Sequence, residues 1–69
     1  MSRRQRQLDE LGELCRSHRV ARAVDLAFEH VAEFGRDEAV LDLLVRAVAQ
    51  VEVADDVRRR FAELDARPR

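Results

Sequence analysis

The most apolar stretch of the chain runs from Asp37 to Val51 and predicts a central helix. On a wheel of about 100° per residue its apolar positions span roughly 200° of arc, which is wide for the single buried face of a surface helix. These positions are Val40, Leu41, Leu43, Leu44, Val45, Val48 and Val51. The remaining polar stripe consists of Glu38, Asp42, Arg46 and Gln50. We therefore expect a helix with neighbours on two sides and solvent along one line.

Apolar spacing predicts two further helices before the central one. The first has its apolar positions at Leu8, Leu11, Leu14 and Cys15 and is expected to end at residues 16–18. The second is expected from Arg19 to Phe34, where Gly35 supplies a C-terminal stop because glycine adopts the left-handed conformation at little cost. Asp37 then occupies the N-cap position of the central helix.

The chain after the central helix allows two interpretations. No Gly or Pro lies between Gln50 and Val57, so a single helix could continue from Asp37 to Leu64. Sliding the chain by 33 residues, however, superposes Leu8 on Leu41 and Phe28 on Phe61, which favours a repeated helical hairpin. That interpretation predicts a turn at residues 50–52 and a fourth helix from Val53 or Ala54 to Leu64.

Composition favours helix throughout, because the chain lacks Thr, Ile, Tyr and Trp. The predicted fold is all-α: one domain, residues 1–69, with four short antiparallel helices in two hairpins. Residues 1–7 carry Arg3, Arg4 and Arg6 with little to bury, and are expected to form a loose arm. Residues 66–69 are expected to form a loose tail, since Pro68 cannot extend a helix.

The stretch from Leu14 to Ala27 resembles the tetratricopeptide (TPR-like) family of helical-hairpin repeats. Ala23 occupies the place of the family's small residue in the second helix, and Val20 that of the aromatic residue before it. The family's Trp and Tyr are missing, and His18 stands where its turn glycine would be. The resemblance implies a helical scaffold that binds other proteins through a groove or an end surface, and it identifies no binding residue.

Charge and cysteine content restrict the partners and the compartment. The net charge is −1 although 39% of residues are charged, so no overall field attracts nucleic acid or an anionic membrane. No apolar run is long enough for a membrane span, and no apolar signal region follows the N-terminal arginines. With a single cysteine, Cys15, the expected compartment is the reducing cytoplasm.

The residues available for chemistry are few. Cys15, His18 and His30 are the only soft metal ligands, and His30 is expected about 16 Å from the first turn at 1.5 Å per residue, too far to complete a site. We expect no metal within one chain, a buried thiol and two surface histidines; a metal shared between chains stays open. No nucleophile stands beside a base in a familiar arrangement, so neither catalysis nor a cofactor is expected.

The strongest local charge feature is the run Arg58, Arg59 and Arg60. Together with the N-terminal arginines it could bind phosphate, but acidic residues on both sides favour a solvated helix surface. No aromatic residue remains to stack on bases, because Phe28, Phe34 and Phe61 all fit core positions.

The expected function is that of a small adaptor or docking module that acts through protein–protein contacts and self-associates as a homodimer. A chain this short buries little surface, and oligomerisation is the remaining means of stabilising it. The candidate partner surface consists of Leu26, Leu43, Asp42 and Arg46. The alternative is a dimeric helix-turn-helix regulator that places the arginine run on nucleic acid. A third interpretation is a docking domain of a larger assembly.

Overall fold

The structure, a computed structural model, describes residues 2–67. It contains four helices: α1 (Arg3–Arg16), α2 (Val20–Phe34), α3 (Glu38–Val48) and α4 (Asp55–Ala66). Consecutive helices are antiparallel, so that α1 with α2 and α3 with α4 form two hairpins. The predicted all-α fold with four short antiparallel helices is confirmed.

The helices form two layers. Helices α1 and α3 contact each other, as do α2 and α4, whereas α1 and α4 do not meet. The shortest dimension of the Cα trace is 15 Å, which matches two layers whose helix axes lie about 10 Å apart, with the Cα atoms about 2.3 Å from each axis. Arg4, near the start of α1, binds Asp37 at the start of α3, so these two helices lie side by side and run in the same direction.

The core lies between the layers, and α2 and α3 contribute most of it. Each contacts the three other helices. The largest fully buried apolar side chains are Leu11, Val24, Val40, Leu44 and Leu64. The two-sided burial expected of the central helix is therefore present, but its apolar arc is narrower than predicted. Val45 is 50% exposed, and Val51 lies outside the helix and is 93% exposed.

A break separates α3 from α4, as the repeat comparison favoured over one long helix. Helix α3 ends at Val48 and not at the expected Val51. No glycine caps this end; instead Arg58 of α4 donates from Nε to the carbonyl oxygen of Val48 at 3.0 Å and from Nη2 to that of Gln50. A guanidinium thus satisfies carbonyl groups that the helix end leaves free.

The turn between α1 and α2 is made without glycine. His18 adopts a φ of 61°, a left-handed conformation in which His is more common than most non-glycine residues. Helix α2 ends at Phe34, and Gly35 follows with a φ of 82°, as its sequence position predicted. Asp37 caps α3 by accepting a hydrogen bond from the Ala39 backbone N–H at 3.1 Å.

The expectation of a loose N-terminal arm is wrong for the residues that the structure describes. Residues 3–7 belong to α1, and Ser2 caps the helix by accepting from the Gln5 N–H at 3.1 Å. Two of its three arginines have acidic partners: Arg3 Nη2 lies 2.6 Å from Glu33 Oε1, and Arg4 binds Asp37. Met1 lies outside the described residues.

Ala66 and Arg67, the first two residues of the expected loose tail, are not loose in the structure. Helix α4 includes Ala66, and the carbonyl oxygen of Arg67 accepts a hydrogen bond from Arg36 Nη1 at 3.0 Å. The same guanidinium nitrogen donates to the Asp65 carbonyl oxygen at 2.6 Å. Arg36 therefore caps α4 much as Arg58 caps α3. Pro68 and Arg69 lie outside the described residues.

Candidate functional site

An open groove of about 860 Å³ runs between α1 and α3 on the outer side of their layer. Leu8 and Cys15 contribute to its α1 wall, and Leu43 to its α3 wall. Ala39 lies near one end, while His18 and Gln50 lie at the other, where the two hairpin turns meet. We call this the α1/α3 groove. It contains Asp42, Leu43 and Arg46, three of the four residues of the predicted partner surface.

The charges of the α1/α3 groove are separated by sign along its length. Asp9 of α1 and Asp42 of α3 lie nearer the N-terminal ends of the two helices. Arg16 and Arg46 lie nearer the C-terminal ends. Because the two helices are parallel, each wall carries an acid followed by a base. The groove is therefore acidic on one side of its midpoint and basic on the other.

Two of these four charges have no partner within the chain as described. Asp9 accepts a hydrogen bond from Gln5 at 3.1 Å, and Arg16 pairs with Glu13 at 3.0 Å. Asp42 and Arg46 are both exposed, and neither makes an ion pair or side-chain hydrogen bond with any of residues 2–67. Their charges are available to a molecule that enters the groove.

A glycine lies in the middle of the α1 wall. Gly12 is inside the helix, where glycine costs about 1 kcal/mol relative to alanine. A Cβ at this position would first meet the Arg16 guanidinium, with Nη1 at 3.3 Å, and that exposed side chain is free to move. Packing within the chain therefore does not require glycine here, whereas close approach of a partner to the α1 backbone would use it.

Leu26, the fourth residue of the predicted surface, lies elsewhere. It is half-buried and lines a shallow depression between α1 and α2 together with Leu14 and the charged residues Glu10, Arg22, Asp25 and Glu29. The structure thus does not bring Leu26 together with the α3 residues.

The arginine run of α4 does not form one patch. Arg58 bonds the end of α3, as described above. Arg60 pairs with Asp25 of α2, and its guanidinium lies 5.0 Å from the centre of the Phe28 ring. Arg67 lies over the same ring at 4.8 Å. Of the three arginines in the run, only Arg59 is exposed without an ion-pair partner among residues 2–67. Two of the three candidate phosphate ligands therefore have structural contacts.

A buried polar network at the α2–α3 junction was not anticipated. His30 is fully buried, contrary to the expectation of a surface histidine, and its Nε2 donates to Asp37 Oδ2 at 2.9 Å. Its Nδ1 lies 2.6 Å from Gln7 Oε1. Phe34, expected in the core, is instead 41% exposed. Its ring packs against that of His30, with the ring centroids 4.9 Å apart. The position of His30 among apolar residues of α2 was the only signal of its burial.

Asp37 is the centre of this network. Arg4 donates to both of its oxygens, from Nε at 2.7 Å and from Nη2 at 3.0 Å. These bonds from Arg4, aided by those from His30 and the Ala39 N–H, lower the pKa of Asp37 to about 2 against the opposing effect of burial. Asp37 is therefore a carboxylate that joins α1, α2 and α3.

The remaining candidate chemistry is limited. Burial raises the pKa of the Cys15 thiol, which makes it a poor nucleophile at neutral pH. Residues 2–67 contain no group of three or more His, Cys, Asp and Glu placed to hold a metal ion. None of the helices in this range is long and apolar enough to cross a membrane.

No protein family, curated protein or solved structure matches the chain. The function must be inferred from the geometry of the molecule itself.

Proposed function

We propose that the chain is a small non-catalytic docking module of the reducing cytoplasm that binds protein through the α1/α3 groove and self-associates. The groove combines partly buried apolar side chains, Leu8 and Leu43, with charges that the chain leaves unpaired. Apolar contact supplies the driving force for such docking, and charge supplies its direction.

The unpaired charges of Asp42 and Arg46 carry this proposal. Several arginines of the chain, among them Arg4, Arg36, Arg58 and Arg60, contact carboxylates or helix ends. Asp42 and Arg46 have no such contacts among residues 2–67, and both line the α1/α3 groove. The groove lies between the first helices of the two hairpins, α1 and α3.

The size of the chain supports self-association. A chain of 69 residues buries a smaller share of its surface than a full-sized domain. A symmetric partner covers the same apolar patch on both copies and stabilises the fold by mass action. Thermal stability should then rise with protein concentration.

Light scattering after size exclusion tests the proposal, with reductant present so that a Cys15 disulfide cannot mimic a dimer. We expect a mass above 8.0 kDa that falls on dilution, and a melting temperature that rises with concentration. Leu43→Gln should shift the mass towards the monomer. The matched control Leu26→Gln replaces another half-buried leucine outside the groove and should leave association unchanged.

A mass of 8.0 kDa at every concentration, with a constant melting temperature, would exclude self-association. Equal loss of association in both leucine variants would instead exclude the α1/α3 groove as the specific contact surface.

A further inference from the structure

We propose that a second copy of this chain occupies the α1/α3 groove, packed antiparallel about a two-fold axis, with Asp42 of each copy paired to Arg46 of the other. The pairing deepens the proposed function and depends on it, because it requires the groove to be the contact surface. It adds three points: the occupant of the groove is a second copy, that copy is antiparallel, and Asp42 and Arg46 determine the pairing.

The order of charges in the groove identifies the occupant. An acidic groove would fit a basic partner, and a basic groove an acidic one. This groove has an acidic half and a basic half, so its best match is a surface with the same two halves in reverse order. The same groove on a second copy, turned by a two-fold axis perpendicular to the helices, presents that order.

The spacing of Asp42 and Arg46 sets the register. Four residues separate them along α3, about 6 Å at 1.5 Å per residue, and they share one face of the helix. A two-fold axis at the level of Leu44 superposes each acid on the base of the other copy. Two equivalent ion pairs result, one on either side of the axis.

The charges on α1 have the same polarity as those on α3. Asp9 precedes Arg16 by seven residues, so in an antiparallel copy the acidic half of the α1 wall lies towards the basic half of the other α1 wall. A two-fold axis perpendicular to the helices places α3 against α3 and α1 against α1, which is the arrangement that pairs Asp42 with Arg46 of the other copy. A parallel arrangement would place acid on acid and base on base, which costs free energy.

The middle of the groove is shaped for close contact. Leu43 is half-buried beside the proposed axis, and the small residues Ala39 and Ala47 lie one turn away on either side. Opposite them on α1, Gly12 has no side chain, and the atoms closest to the position of a Cβ there belong to the Arg16 guanidinium. Small residues around a central leucine let two helical layers approach and bury that leucine on both copies.

Charge reversal tests the pairing directly. Asp42→Arg and Arg46→Asp each place like charges opposite one another at two symmetric positions, so each variant alone should dimerise at least about tenfold more weakly. When the two variants are mixed, every reversed residue meets its complement in the heterodimer. Native mass spectrometry resolves the mixture, because the heterodimer and the two homodimers differ in mass. We expect the heterodimer to dominate.

Matched reversals on α4 serve as controls. Glu63→Arg and Arg59→Asp change the same charges at exposed positions on a helix that does not line the groove. Both should dimerise like the unmodified chain, alone and in mixture. Circular dichroism verifies that all four variants keep their helix content, since Arg46→Asp puts an acid near the C-terminus of α3, where the helix dipole disfavours it.

The outcomes separate this pairing from the general proposal. A monomeric unmodified chain would overturn both. A dimeric unmodified chain whose dimer is unaffected by Asp42→Arg and Arg46→Asp would retain self-association and overturn the groove pairing. Weak homodimers of both variants without recovery on mixing would overturn the antiparallel order.

Discussion

Asp37 and Asp42 lie about one and a half turns apart at α3, and their surroundings are opposite. Asp37 is 9% exposed and accepts hydrogen bonds from Arg4, His30 and the Ala39 N–H. Asp42 is exposed and has no ion-pair partner among residues 2–67. Asp37 thus holds three helices together, whereas Asp42, with the same type of side chain, faces an open groove.

The contrast shows how structural and functional charge can be told apart in a chain of this composition. A charge whose bonds are all supplied from within contributes to folding, and its removal should be measured as lost stability. A charge without internal partners contributes little to folding, and its removal should be measured as lost binding. Stability and association should therefore respond to different residues of one helix.

The largest loss of stability should come from a substitution on the buried side of α3. Leu44 is fully buried, and Leu44→Ala should lower the free energy of unfolding by about 2–5 kcal/mol through lost apolar contact and the cavity left behind. Asp42→Ala, on the groove side, should change it by less than about 0.5 kcal/mol. Chemical denaturation measures both. Similar losses in the two variants would refute the assignment of the two sides.

The next largest loss of stability should come from replacing Asp37. Asp37→Ala removes the N-cap of α3 and leaves buried His30 without its acceptor, for a combined cost of about 2–4 kcal/mol. Asp42→Ala again serves as the control, since both variants remove one negative charge from the same helix. If urea denaturation gave equal stability for the two, Asp37 would not be the centre of a stabilising network.

Low pH should remove the contribution of Asp37 to the stability of the fold. Its folded pKa of about 2 lies below the ordinary value of 3.8, so its stabilisation is complete above pH 3.8 and is lost as the pH falls towards 2. A shift of this size corresponds to about 2 kcal/mol. Melting curves from pH 5 to about pH 2 should show this loss.

The control for the acid measurement is Asp37→Asn. This variant has no titratable group at that position, so its stability should change less steeply with pH. An identical slope in the unmodified chain and the variant would place the acid sensitivity at other carboxylates.

The smallest change in stability is expected for Gly12→Ala, which should affect folding and dimerisation in opposite directions. Gly12→Ala should raise the stability of the monomer by about 0.5–1 kcal/mol, because alanine favours helix and only the Arg16 side chain must move. The added methyl group should nevertheless weaken dimerisation by holding the second copy away from α1. Denaturation at low concentration and light scattering at high concentration measure the two effects. Unchanged association would show that no partner approaches this point.

Helix boundaries were predictable where local chemistry decides them. Gly35 and Asp37 mark the end of α2 and the start of α3 because a left-handed conformation and an N-cap are properties of single residues. The break after Val48 carries no such signal. Its stabilising contacts come from Arg58 in the next helix, so only the internal comparison of apolar positions favoured it.

The polar contacts between helices were not predictable from spacing. The pattern could not show that Arg4 reaches Asp37, and so the first residues were expected to be loose. It placed Asp42 and Arg46 on the polar stripe of the central helix and assigned Leu43 and Leu26 to a partner surface. It could not show that Leu26 lies apart from the other three, because helical periodicity does not specify which neighbouring helix covers each flank.

Amide chemical shifts of the unmodified chain, followed from dilute to concentrated solution, test the α1/α3 groove as the docking surface most directly. We predict concentration-dependent shifts centred on Gly12 of α1 and on Asp42, Leu43 and Arg46 of α3, with the α4 residues Arg59 and Glu63 unchanged. Shifts centred on Leu26 and the outer face of α2, or no change at any concentration, would contradict the account.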